Sequence, residues 1–298
     1  MTTEKVLVED AIILAGGRGT RMLPANYYTP KECLPLIDTP LMNHLIWEAC
    51  KSKVKRIHVI ISPNKRTVFR DKLNGQKNYQ YENIRTDIPR EILMMPPEEV
   101  EIIIHEQINP GGVGDAIKVA LDNINGPFLV LLGDNLIMDF HPILAESGPS
   151  SGSLASKKLV DYFERTGRAC AGLIKVKDEQ LNKYGVVEIR DDRIINIVEK
   201  PDLNNAPSNY ILCGRYLLLQ NTNELLDKFS VEEYGELQSI AMFQHLIKNE
   251  GFGGVKMNGF ELYDSGDPIS WLKSQILHAL KRPDLSDEFQ KWLGRIRE

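Results

Sequence analysis

The segment Ala15-Gly16-Gly17-Arg18-Gly19-Thr20-Arg21 follows a short apolar run, Ala11–Leu14, and is rich in groups that attract anions. Glycines let a backbone take positive φ and approach a ligand closely. Successive N–H groups of such a turn form a nest for phosphate. Arg18 and Arg21 add forked donors that match phosphate oxygens, and Lys31, beyond a loop, could reach the same anion. The spacing is neither G-x-G-x-x-G nor G-x-x-x-x-G-K-[ST]. A tight turn flanked by solvated arginines is the plain alternative.

Two aspartates end apolar runs. Asp134 follows Phe128–Leu132 and Gly133, and Asp264 follows Phe260-Glu261-Leu262-Tyr263. A carboxylate there packs badly but suits a ligand face at the carboxyl end of a strand. Mg²⁺ commonly takes one or two carboxylates plus phosphate oxygens and water; alternatively, each aspartate caps the turn after it. Asp139 and Asp267 read as loop or helix-start residues. Glu199-Lys200 closes another apolar run. Glu199 can accept hydrogen bonds from hydroxyls and Lys200 supplies a point charge, although exposed pairs of this kind contribute little by themselves. Gln107 ends a run from Ile102. Its amide carries a donor face and an acceptor, as a pyrimidine edge requires. Gly112 in the following glycine-rich stretch and the backbone of Ala15 and Gly16 could border the same base. None of these groups separates uracil from thymine.

Elements must bring these residues together. Apolar strand patterns at 11–14, 57–61, 101–105 and 128–132 alternate with helical patterns at 40–49, 65–73 and 115–124. This rhythm predicts a mainly parallel sheet with helices on both faces. Residues 75–99 look irregular, and Ser147–Ser153 reads as a flexible loop. Further on, the pattern predicts a helix over 155–165, a strand over 169–177, a hairpin from 185–189 to 194–198, and a strand over 211–219. Helices at 224–229 and 237–248, a strand near 260–263, and helices at 270–280 and 288–295 follow.

Composition narrows the classes. The 298 residues carry 36 Lys+Arg against 41 Asp+Glu, a net charge of −5. That balance argues against nucleic acid or an anionic membrane as partner. The longest aliphatic and aromatic run, Phe128–Leu132, is far too short to span a bilayer. The N-terminus, with Glu4, Lys5, Glu9 and Asp10, has no signal-peptide core. Four cysteines without a C-x-x-C pair fit reduced thiols and a cytoplasmic location.

The string Leu14–Pro24, followed by Pro30-Lys31-Glu32-Cys33-Leu34-Pro35, resembles the signature of the sugar-1-phosphate nucleotidylyltransferases. The Pro-Lys-Glu-x-Leu-Pro form is most similar to the bacterial-type glucose-1-phosphate uridylyltransferases. The resemblance continues through Gln107, Gly133-Asp134, Tyr184-Gly185-Val186-Val187, Val198–Pro201, Ala206–Asn209, Gly214-Arg215-Tyr216, Glu236-Leu237-Gln238 and Asp264–Gly266, over roughly residues 10–280. It departs at Gly235, where the family usually has Asp, at Ser239-Ile240, where Thr-Asp is expected, and over residues 25–29.

The resemblance implies a Rossmann-like, doubly wound mixed α/β sheet. It implies one catalytic unit, with a nucleotide part over about 8–140, a sugar part over about 154–268 and C-terminal helices over 269–298. The implied substrates are UTP and glucose 1-phosphate, with Mg²⁺ on Asp134 and Asp264. Arg21, Lys31, Asp134 and Lys200 take catalytic roles, with Arg18 a further candidate. Ala15, Gly16, Gly17, Gly19, Glu32, Gln107 and Gly112 fall to the nucleotide. Tyr184, Gly185, Glu199, Lys200, Asn209 and Gly214 fall to the sugar. Dimers or tetramers are common in the family, so a homo-oligomer is expected. A thymidylyltransferase and a non-catalytic nucleotide-sugar-binding relative are the rival readings. All six histidines read as structural.

Overall fold

The computed structural model describes residues 6–73, 88, 90–93 and 97–296. Much of the stretch 75–99 and both Glu4 and Lys5 therefore lie outside the described residues.

The first half begins with β1 (Asp10–Ala15), the small ladder β2 (Pro35–Leu36) and β3 (Thr39–Pro40), and α1 (Leu41–Lys51). β4 (Arg56–Ile61), α2 (Arg66–Leu73), the single turn α3 (Arg90–Leu93), β5 (Glu101–Glu106), α4 (Val113–Lys118), β6 (Phe128–Leu132) and β7 (Asn135–Met138) complete it. The second half holds α5 (Ala155–Thr166), β8 (Cys170–Lys175), β9 (Gly185–Arg190), β10 (Arg193–Glu199) and β11 (Tyr210–Leu218). It continues with α6 (Thr222–Lys228), α7 (Val231–Tyr234), α8 (Gln238–Asn249), β12 (Phe252–Lys256), β13 (Glu261–Asp264), α9 (Pro268–Lys281) and α10 (Ser286–Ile296).

Nine strands form one sheet in the order β5-β4-β1-β6-β11-β8-β12-β10-β9. The half from β5 to β6 is parallel. β11 runs antiparallel to both β6 and β8, and β9 pairs antiparallel with β10. The expectation of a mainly parallel sheet therefore holds for one half only, because the hairpin and the reversed β11 make the other half mixed. Asp191, at φ 56, turns that hairpin where a glycine would be usual. Apolar side chains fill both faces. Leu45, Ile46 and Leu159 of α1 and α5 cover one face, and Ile117, Leu226 and Phe243 of α4, α6 and α8 cover the other.

Two local readings change. The helix expected over 115–124 is α4 followed by a separate 3₁₀ turn, Leu121–Asn123. The Ser147–Ser153 loop is held rather than free. Lys51 Nζ donates to Ser150 O at 2.5 Å, and a Cβ on Gly152 would sit 2.3 Å from Trp47 O, so only glycine fits against α1.

The topology fixes where a ligand can sit. β1 has β4 on one side and β6 on the other, so the chain reverses its winding direction beside β1. A crevice opens at the carboxyl ends of strands at such a switch point. β1 ends at Ala15 and β6 ends just before Gly133-Asp134.

β7 leaves directly from Asp134 and pairs antiparallel with β13, which sets Asp264 opposite Asn135. α9 then docks on this ladder, where Ser274 Oγ donates to Asp264 O at 2.9 Å, and on β2, where Gln275 Nε2 donates to Pro35 O at 2.6 Å. α10 buries no residue, and Trp292 remains 52% exposed.

The α9 contact encloses His44, His141 and His278. The His278 ring lies 5.3 Å from that of His141, tilted by 38°, and meets that of His44 edge to face at 6.4 Å, ring centre to ring centre. Burial lowers His44 to about 4 and His278 to about 3, aided at His278 by the neighbouring rings. An unfolded histidine titrates near 6.5, so the unfolded chain binds more protons as pH falls from about 6.5 towards 4. Stability is therefore expected to fall by at least about 2 kcal/mol between pH 7 and pH 5. Urea unfolding at several pH values measures this, and an unchanged midpoint would contradict it.

Candidate active site

A cleft of about 560 Å³ opens at the switch point. Gly16, Gly17, Arg18, Gly19, Lys31, Glu32, Gln107, Gly112 and Asp134 line it, so most residues assigned to the nucleotide and its phosphates meet in one place. Ala15 lies fully buried behind the wall. Arg21 is exposed and is not part of the lining; its guanidinium lies beside Gly266 and its charge is felt at Asp134.

The floor requires a glycine. A Cβ on Gly133 would lie 2.4 Å from Leu14 O, so a larger residue would wedge β6 from β1 and displace Asp134. Asp134 accepts from Lys31 Nζ at 2.8 Å. Burial opposes its ionisation, but Lys31 and Arg21 outweigh that and hold its carboxyl below the usual range. Ser265 donates to the Asp134 carbonyl through both N (2.9 Å) and Oγ (2.7 Å), which clamps the end of β6 to the residue after Asp264.

Asp264 accepts from Tyr184 Oη at 3.0 Å and from Gly266 N at 2.7 Å. Burial raises its pKa, and the Asp134 charge raises it further. Two neighbouring carboxylates that resist joint ionisation suit a divalent cation. Among the described residues no group of three or more His, Cys, Asp or Glu could hold a metal. Two carboxylates are what a divalent ion would take from the protein if phosphate oxygens and water completed its shell.

On the base side, Gln107 is buried. Its Nε2 donates to Asp115 Oδ2 at 2.5 Å, and its Oε1 lies against Gly16. Asp115 therefore fixes which way the amide points, a role the sequence pattern did not reveal. Glu32 is also buried, but it pairs with Lys65 Nζ at 2.9 Å, so it acts in the wall behind the cleft lining as well as in it.

The sugar-side residues lie beyond Asp264. Gly185 backs onto the Glu199 carboxylate, where a Cβ would come within 3.0 Å of Oε2. Lys200 N donates to Tyr184 O at 3.0 Å. The Lys200 side chain is 64% exposed and 3.5 Å from Glu199. Gly214 sits against Asn135. Asn209 points elsewhere, its amide donating to Asp178. Asn135 is held by Arg215, a fully buried cation that the sequence marked only as part of a matching string. Arg215 also binds Glu48 through Nε at 2.7 Å and Nη2 at 3.0 Å.

Glu236 stands on the cleft rim beside Gly112. Just before it, Gly235 has φ 56 and ψ −138, a region open to glycine and costly for aspartate. The departure there has a backbone reason.

The nucleotidyl transferase family matches residues 10–275. The chain belongs to that family. It is 31% identical to UTP--glucose-1-phosphate uridylyltransferase 2 of Streptococcus pyogenes, covering 97% of this chain and 96% of that protein. A UTP-bound UGPase from Acinetobacter baumannii superposes with a TM-score of 0.80 at 25% identity, covering 96% of this chain and 99% of that one. A UDP-glucose pyrophosphorylase complexed with UDP-glucose superposes at 0.76 with 26% identity, covering 93% and 100%. The fold described above is therefore shared with these solved structures over nearly the whole chain. No helix among the described residues is long and apolar enough to cross a membrane.

Proposed function

We infer that the chain is a glucose-1-phosphate uridylyltransferase, forming UDP-glucose and pyrophosphate from UTP and glucose 1-phosphate. The observation that carries this is the cleft itself: a glycine-rich turn and Lys31 face Asp134, with Asp264 brought alongside by the β7–β13 ladder. The full-length likeness to named uridylyltransferases supports the same activity.

The reaction needs no general base. A phosphate monoester has a second pKa near 6 and is largely dianionic at neutral pH. One of its oxygens attacks the α-phosphorus of UTP, and the bond to pyrophosphate breaks. The protein's task is to align two polyanions and neutralise their charge. Lys200 holds the attacking phosphate, and Glu199 with the backbone at Gly185 and Gly214 holds the sugar. Arg21 and Lys31 stabilise the departing pyrophosphate. The Gln107 amide, fixed by Asp115, reads the pyrimidine edge. Mg²⁺ on Asp134 and Asp264 would supply charge neutralisation to the nucleotide phosphates. None of the six histidines lines the cleft, in keeping with chemistry that needs no base. A homodimer or homotetramer in the cytoplasm completes the reading, with the exposed face of α10 as the surface that supports self-association.

Pyrophosphate release from pairs of nucleoside triphosphate and sugar 1-phosphate tests the assignment. UTP with glucose 1-phosphate should turn over fastest; faster turnover with dTTP would replace uridine by thymidine, and no turnover with any pair would favour a binding protein. Lys200→Ala should raise KM for glucose 1-phosphate by about tenfold or more and leave KM for UTP within about twofold, because it removes a charge from one substrate only. An unchanged response to glucose 1-phosphate would remove Lys200 from the sugar-phosphate site.

A further inference from the structure

Lys65 is a buried cation that the reaction scheme above leaves unused. It is 6% exposed and does not line the cleft. Its ammonium donates to Ala15 O at 2.6 Å, to Gly17 O at 2.8 Å, and to Glu32 Oε2 at 2.9 Å with Oε1 at 3.1 Å. An ammonium has three protons, so two backbone carbonyls and one carboxylate use all of them.

We propose that Lys65 is a positioning residue for the nucleotide phosphates, one that pins the glycine-rich turn so that its amides face the cleft. The inference rests on the nucleotidyltransferase reading of the site. In a planar trans peptide the carbonyl of one residue points opposite to the N–H of the next. Drawing the carbonyls of Ala15 and Gly17 onto Lys65 therefore turns the amides of Gly16 and Arg18 the other way. Both residues line the cleft, and neither amide makes a backbone hydrogen bond among the described residues. Glycine backbones rotate cheaply. Without an anchor the peptides at Ala15–Gly16 and Gly17–Arg18 can flip and present carbonyl oxygens to an anion. Glu32 offsets the Lys65 charge, so the pair acts on the shape of the turn more than on its potential. Lys65 stands just past the carboxyl end of β4, next to β1, which is why a residue fifty positions away can brace this turn.

The test uses the full chain with both partners replaced, Lys65→Met with Glu32→Gln, so that no buried charge is left alone. Binding of UTP and of uridine is measured by calorimetry on wild type and variant, with the unfolding midpoint alongside. The expected result is a UTP affinity at least about tenfold weaker, with uridine affinity reduced by no more than about threefold. UTP binding retained within about twofold in the folded variant overturns the proposal. An equal loss for UTP and uridine also overturns it, because the whole cleft would then have collapsed. A variant that does not fold makes the pair a determinant of the fold and likewise overturns the positioning role. Wild-type protein that fails to bind UTP instead overturns the nucleotidyltransferase reading beneath it.

Discussion

Asp134→Asn should lower turnover by at least about 1,000-fold, equivalent to roughly 4 kcal/mol of transition-state stabilisation, and leave the fold intact. The substitution keeps the side-chain shape and removes the charge. That charge is ionised throughout the neutral range, because Lys31 and Arg21 hold the carboxyl below its usual value. It sits at the carboxyl end of β6, clamped from behind by Ser265, with Asp264 brought alongside by the β7–β13 ladder, where it pairs with Asn135. The competing account is structural, with Asp134 serving as partner to Lys31. The two accounts separate on two measurements. A charge-bearing role costs turnover and little stability, because an asparagine Oδ1 can still accept from Lys31 Nζ, which lies 2.8 Å from the carboxylate. A partner role costs stability first. Steady-state kinetics and thermal unfolding of the same preparation decide it, and near-wild-type turnover would remove Asp134 from the chemistry.

Much of this site was legible because it lies where strands end. Gly16–Gly19, Gln107, Gly133-Asp134 and Asp264 each follow an apolar run, and a polar or glycine residue after such a run in an α/β sheet faces the ligand side. The resemblance then ordered them into one reaction. What escaped was the layer behind. Asp115 orients Gln107, Lys65 braces the turn, and Arg215 holds Asn135. These partners come from residues 8, 50 and 80 positions away. Their own neighbourhoods look like ordinary helix starts and strands, and no periodicity links them to their targets. The sheet was half legible for a related reason. A parallel β-α-β rhythm is local, but the place of β11 between β6 and β8 is decided by packing between distant segments. The 3₁₀ break after α4 and the anchored Ser147–Ser153 loop were missed because backbone contacts set them. The fit of Gly152 against α1 is one such contact.

Arg215→Met should destabilise the protein by about 3–5 kcal/mol, the cost of leaving a buried charge without its partner. Arg215 is fully buried, and every polar atom of its guanidinium region is engaged: Nε and Nη2 on Glu48, Nη1 on Asn135 Oδ1 at 2.8 Å and Gly214 O at 3.1 Å, and Nη2 also on Asn135 O at 3.1 Å. Methionine fills similar space but satisfies none of these acceptors. Glu48 would keep only the Ser156 Oγ donor at 2.5 Å. A buried ion pair is a weak source of net stability compared with apolar residues of the same volume, so the loss comes mainly from the orphaned carboxylate. Adding Glu48→Met should therefore recover at least about half of it, and the cycle of single and double variants should show a coupling of roughly 1–3 kcal/mol. Urea unfolding of the four proteins measures both quantities. A single variant losing less than about 1 kcal/mol would mean that Glu48 finds water or another donor when Arg215 is removed. Asn135 follows Asp134 directly and faces Gly214, so any recovery in stability by the double variant need not restore turnover. The apolar pair would rebuild the packing between α1 and β11 but leave the Asn135 amide unheld, one residue from the Asp134 carboxylate.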